Sequence, residues 1–128
     1  MLFRSRELGR CPLLLDWRGT NTRLKDVARV VAPEWGGRAD MNCAIISMCE
    51  AFIGIDSGPG KCASATQTPS LIVWTGHNPA LYHDPAPNTT HLLPETLNLN
   101  PWFEANYSWQ KYSNLVEGVD TWLTKLLR

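Results

Sequence analysis

Two short apolar runs on either side of a stretch of small residues constrain the fold more than any other feature. Ala51–Ile55 and Ser70–Trp74 are too short for core helices and rich in the residues that strands favour. The segment Gly60–Thr66 between them suits a short helix packed closely on a sheet. This order of strand, helix and strand predicts two neighbouring parallel strands.

Shorter patterns on either side of this unit predict the remaining elements. Apolar runs at Pro12–Asp16 and Thr90–Leu93 indicate two more strands. One helix is predicted to begin at Asn21 or Thr22 and to end near Pro33, and two others follow later in the chain. The apolar faces are predicted at Leu24, Val27, Ala28 and Val31 in the first helix, at Met41, Ala44, Ile45 and Met48 in a second helix capped by Asp40, and at Leu115, Val119, Trp122, Leu123 and Leu126 in a C-terminal helix.

Strands that alternate with helices predict an α/β fold, with a parallel sheet covered by helices on both faces. The 128 residues are enough for one domain with one hydrophobic core. We therefore expect a single domain over 1–128, with its core at about 12–94. A loop is predicted over 76–87, and a surface wrap followed by the C-terminal helix over 95–128.

Composition and charge argue against several classes of function. Twelve acidic residues balance twelve basic ones, so the chain lacks the positive field expected of a protein that binds nucleic acid or a membrane surface. No apolar run approaches the roughly 20 residues needed to cross a bilayer, and charges near the start argue against a signal peptide. We expect a cytoplasmic protein in which Cys11, Cys43, Cys49 and Cys62 are buried, reduced thiols.

Polar turns follow the two strands of the central unit. Asp56–Pro59 comes directly after the first strand, and Thr75–Asn78 follows the second. Ligands of open parallel sheets bind beyond the carboxyl ends of the strands. Because these two strands are consecutive, we expect the two turns to line one crevice.

The first turn has the residues that a diphosphate requires. Gly58 and Gly60 would let the backbone approach, and the start of the following helix offers N–H groups and the positive end of a dipole. Ser57 adds a hydroxyl, and Pro59 fits a first helical turn because it needs no N–H there. Lys61 would bring a full positive charge to the distal phosphate.

The remaining residues of the two turns are weaker candidates for contact with a ligand. An exposed carboxylate would repel phosphate, so we expect Asp56 to accept N–H bonds within its own turn or to bind a hydroxyl group of the ligand. His77 is a candidate contact in the second turn, together with Thr75 and Gly76, although a histidine of a surface loop explains the residue equally well.

The residues of the first turn also have three other interpretations. A Walker A loop is rejected, because Ile55 stands where its first glycine is required and Cys62 replaces its Ser or Thr. The run Gly58–Ala63 matches the dinucleotide fingerprint G-x-G-x-x-A, but the next strand ends without the acidic residue that binds a ribose. Asp-Ser-Gly-Pro is also an ordinary β-turn composition. The dinucleotide and β-turn alternatives stay open.

The combined pattern of Phe52–Ala65 and Thr68–Pro79 resembles the donor-binding half of glycosyltransferase family 9, the lipopolysaccharide heptosyltransferase-like enzymes. That family has an apolar strand, Asp-Ser/Thr-Gly, a helix of small residues, Thr-Pro, a second apolar strand and a Gly-x-x-x-Pro-like turn. Upstream, Leu15–Gly19 and Leu24–Ala28 are similar to the loop and helix that precede this motif. The resemblance covers roughly residues 13 to 94.

The resemblance implies a Rossmann-like domain that corresponds to the C-terminal half of a GT-B fold. It implies that Asp56, Ser57, Gly58 and Pro59 contact a nucleotide-sugar donor, with its phosphates at the helix start. Lys61 stands where the family usually has histidine, so a phosphate contact is retained. Two other residues, Trp17 and Arg18, are candidates to flank the nucleotide base.

The resemblance further implies an enzyme that moves a sugar from a nucleoside diphosphate donor to a hydroxyl of a glycan or lipid-linked acceptor. The family's catalytic base and acceptor site lie on an N-terminal half that this sequence does not contain, so we expect no turnover by the isolated chain. No metal or cofactor is expected. The alternatives are a non-catalytic nucleotide-binding or assembly module, and a dinucleotide-binding oxidoreductase domain.

Overall fold

A computed structural model describes residues 9–15, 28–31, 37–75, 77, 79–82, 85–93 and 115–128. Within them the chain is a mixed α/β protein that contains a three-stranded parallel sheet. Its elements, in chain order, are β1 (Leu13–Leu14), β2 (Arg29–Val30), α1 (Ala39–Ser47), β3 (Phe52–Ile55), α2 (Gly58–Ser64), β4 (Ser70–Val73), α3 (Pro79–Tyr82), β5 (Thr89–Leu92) and α4 (Leu115–Leu127).

The chain divides into two compact units, Met1–Asn42 with Val116–Arg128, and Cys43–Leu115. In the first unit, β1 and β2 pair in parallel. The amide of Arg29 donates to the carbonyl of Pro12 at 2.9 Å, and that of Val31 donates to Leu14 at 3.0 Å.

This pairing corrects the helix predicted to continue through Val31. Residues 29 and 30 are in a strand, because β-branched Val30 and Val31 precede Pro33 and suit an extended backbone better than a last helical turn. The part of that predicted helix before Ala28 lies outside the described residues.

Helix α4 confirms the predicted C-terminal helix. Val119 and Leu123, four residues apart, are its buried side chains. The buried face of the helix is narrower than the predicted apolar face, since Leu126 is 36% exposed.

Helix α1 exists as predicted, but its start and its buried face differ from the prediction. Asp40 lies in the first turn and not at the cap: its carboxylate pairs with Arg38, whose carbonyl accepts the helical bond from Asn42. Asn42, Ile45 and Ile46 are buried, whereas Met48 is 80% exposed because the helix ends before it, at Ser47.

In the second unit, β4 is the central strand of the sheet and pairs in parallel with β3 and β5. The prediction of these three strands is confirmed within one residue at each end. The side chains of Ser70, Leu71 and Ile72 are at most 2% exposed, and Trp74 after the strand is 1% exposed. A continuous apolar run is what a strand covered on both faces requires.

Helix α2 connects β3 to β4 and begins two residues earlier than predicted, at Gly58. Pro59 in its first turn fixes a helical φ and needs no hydrogen-bond acceptor there. The stretch 76–87, predicted to be a loop, contains the single-turn helix α3, which also starts at a proline.

Candidate functional site

The two predicted polar turns come into contact at the carboxyl edge of the sheet. In the described residues this edge consists of Asp56 and Ser57 after β3, and of Thr75 and His77 after β4. Ile55 and Val73, the last residues of the two strands, are paired in the sheet register. Both chains therefore leave the sheet at the same level, and the side chain of Asp56 reaches across to the second turn.

The carboxylate of Asp56 accepts four hydrogen bonds from the second turn. Oδ1 accepts the backbone N–H of Thr75 at 3.0 Å and also the hydroxyl of Thr75. Oδ2 accepts the backbone N–H of His77 at 3.0 Å, and its distance to Nδ1 of the His77 ring is 2.8 Å. The acceptor role predicted for Asp56 is present, and the N–H donors of Thr75 and His77 belong to the neighbouring turn.

Burial and hydrogen bonding act on this carboxylate in opposite directions. The side chain of Asp56 is only 2% exposed. Burial on its own raises the pKa, but the bonds from Thr75 and His77 outweigh it and hold the pKa of Asp56 below its ordinary value. Asp56 is therefore an ionised, almost fully covered carboxylate at neutral pH.

The ring of His77 is fixed on two sides. An ionised carboxylate can only accept, so the Nδ1 atom of His77 carries the hydrogen in its bond to Asp56. The ring of Tyr82, on α3, meets the imidazole edge to face with a centroid distance of 4.9 Å. A quarter of the His77 side chain is exposed.

The start of α2 keeps its donor groups close to these turns. Ser57 is the N-cap in extended conformation, with φ −143° and ψ 177°, and its side chain makes no cap bond. Its hydroxyl instead donates to the carbonyl of Ile55 at 3.3 Å. A Cβ on Gly58 would meet no atom of the described residues within 4 Å, so that side of the first turn is open.

Gly60 packs against the sheet, in agreement with the close packing predicted for the small-residue segment that it begins. A Cβ there would lie 2.9 Å from the carbonyl oxygen of Ile55 and 3.2 Å from Cδ1 of Ile72. The absence of a side chain thus lets α2 approach the sheet closely, and the ligand contact predicted for this glycine stays a prediction. Lys61 follows it and is exposed.

Three further predicted contacts, Trp17, Arg18 and Gly76, lie outside the described residues. Sequence reasoning missed Tyr82, which contacts His77 although its own segment was predicted to be a loop. The sequence did contain a signal for this contact: Pro79 can start a helical turn, and the aromatic Tyr82 stands three residues after it.

The cysteines differ from the expectation of four buried thiols. All are free, and Cys11 is exposed while the other three are partly buried. Burial, together with a hydrogen bond to the Cys43 thiol, raises the pKa of Cys62 to about 11. Its thiol is therefore protonated at neutral pH and is a poor nucleophile.

The amino edge of the sheet, formed by residues 65–69 and Asn88 before β4 and β5, is built differently. One side-chain amide, Nδ2 of Asn88, donates to the carbonyls of Ala63, Thr66 and Thr68 at 3.2, 3.0 and 2.8 Å. An open groove of about 660 Å³ lies beside this edge. Its lining is Cys43, Ala44, Ser47, Cys49, Ala65, Thr66, Gln67, Thr68 and Pro69.

The described residues show neither a metal-binding cluster nor a membrane-spanning helix. They contain no group of three or more His, Cys, Asp or Glu side chains that could hold a metal ion. In the same residues, no helix has the length and apolar character needed to cross a membrane.

Comparison of the chain with protein-family models, with curated proteins and with solved structures finds no match. A function for the chain is therefore inferred from the geometry of the carboxyl edge.

Proposed function

We propose that the chain is a nucleotide-sugar donor-binding domain of a heptosyltransferase-like glycosyltransferase, with a Rossmann-like sheet corresponding to the C-terminal half of a GT-B fold. One observation carries the proposal. The buried carboxylate of Asp56 ties the turn that starts α2 to the turn after β4, at the sheet edge where parallel α/β proteins bind nucleotides.

The start of α2 would bind the diphosphate. Helix N-termini direct N–H groups and a positive dipole end towards anions. The open side of Gly58 leaves room for a phosphate, the hydroxyl of Ser57 can turn towards it, and Lys61 adds an exposed positive charge.

The charge of Asp56 is compatible with a neighbouring diphosphate. The carboxylate is 2% exposed, and four donors from Thr75 and His77 surround it. The dipoles of these donors therefore weaken its repulsion of a neighbouring phosphate. In this proposal Asp56 positions the two turns and does not contact the donor itself.

In the proposed reaction, the acceptor hydroxyl attacks the anomeric carbon of the sugar as the bond from that carbon to the diphosphate oxygen breaks. Negative charge then grows on the leaving diphosphate. Lys61 and the N–H groups of the α2 start would stabilise that charge. In the family that the chain resembles, the acceptor site and the catalytic base lie on a separate N-terminal half. That half would bind the acceptor and take the proton from its hydroxyl.

Isothermal titration calorimetry with UDP-glucose, GDP-mannose, ADP-glucose, CDP-glucose and dTDP-glucose tests the proposal. We expect at least one of them to bind and Lys61→Ala to weaken that binding about three- to tenfold, as loss of one charge-assisted phosphate contact would. Lys125→Ala removes an exposed lysine of α4 and is the matched control, with unchanged affinity expected.

The same titrations separate the alternatives. Binding of NAD but of none of the five sugar nucleotides would replace the proposal by a dinucleotide-binding domain. Equal affinities of the wild type and Lys61→Ala would remove Lys61 from the site. A separate assay of sugar transfer tests the third alternative: transfer by the isolated chain would exclude a non-catalytic module, and the resemblance leads us to expect none.

A further inference from the structure

We draw no further inference here: the strongest candidate, the side-chain cluster formed by the thiols of Cys43 on α1 and Cys62 on α2 as a pair for a disulfide, rests on the raised pKa of Cys62 alone.

Discussion

The two edges of the parallel sheet are held together by different chemistry. At the carboxyl edge a single buried carboxylate, Asp56, accepts bonds from Thr75 and His77. At the amino edge an uncharged amide, Asn88, donates to three carbonyl oxygens. Both side chains join segments that are distant in the sequence, but only Asp56 carries a charge.

This difference identifies the edge at which the fold accepts the unfavourable free energy of burying a charge. Covering a carboxylate is unfavourable unless several donors surround it, whereas an amide satisfies buried carbonyls at lower cost. Asp56 lies beside the start of α2, where we propose that an anionic ligand binds. Asn88 lies at the amino edge, where its amide joins neighbouring loops.

Removal of the Asp56 carboxylate is expected to have the largest effect on stability. Asp56→Ala leaves the N–H groups of Thr75 and His77 without their acceptor, and we expect a loss of about 3 kcal/mol in the free energy of unfolding. Urea denaturation, with hydrogen exchange of the β4 amides as the probe, measures it. A loss below that of Asn88→Ala would contradict the ranking of the two edges.

A second prediction tests how closely α2 approaches the sheet at the carboxyl edge. Gly60→Ala would push a Cβ against the carbonyl of Ile55 at 2.9 Å, so either the helix or the strand has to move. We expect a loss of about 2 kcal/mol. Gly58→Ala is the matched control, since its Cβ meets open space; it should change stability by no more than about 0.5 kcal/mol.

A third prediction concerns the Asn88 amide at the amino edge. Asn88→Ala removes the amide that serves three carbonyls, and we expect a loss of about 1–2 kcal/mol. Asn88→Asp should be worse than Asn88→Ala at pH 7, because a carboxylate would face three carbonyl oxygens. Equal stability of the two variants in urea would show that the amino edge tolerates a charge.

The smallest effect is a dependence on pH that only the carboxyl edge should have. The pKa of Asp56 is lower in the folded chain than its ordinary value of about 3.9. Its contribution to stability is therefore fully present above pH 3.9 and is lost as the pH falls through the folded value.

The difference in stability between the wild type and Asp56→Asn should accordingly shrink as the pH is lowered below about 4. The difference between the wild type and Asn88→Ala should stay constant over the same range, since neither residue titrates. Urea denaturation at pH 7, 4 and 3 provides both comparisons. A constant difference for Asp56→Asn would contradict the lowered pKa.

The sequence predicted the sheet and the two turns because apolar runs and turn residues act locally. β3, β4 and β5 follow from short apolar segments, and the parallel arrangement brings Asp56 and Thr75 to one edge. The partners of Asp56 could not be predicted in the same way. A carboxylate after a strand can bond within its turn or across to the next one, and only the packed backbone decides between them.

The errors have different physical causes. Val31 continues a helical spacing, but its amide donates to Leu14 of β1, a residue that only the fold brings close. Asp40 resembles a cap, but its carboxylate pairs with Arg38, two residues before it in the sequence. A contact between distant segments and a local pair of charges can each override the preference of a single residue.

The central claim, that the carboxyl edge binds a nucleoside diphosphate sugar, is tested most directly by an NMR titration of backbone amides. With the best-binding of the five sugar nucleotides named above, we predict that the largest shift changes fall on the amides of Ser57, Gly58, Gly60 and Lys61 and of Thr75 and His77. The amides of residues 65–68 and of Asn88, at the amino edge, should shift little. Largest changes at the amino edge, or no changes at either edge, would contradict the account.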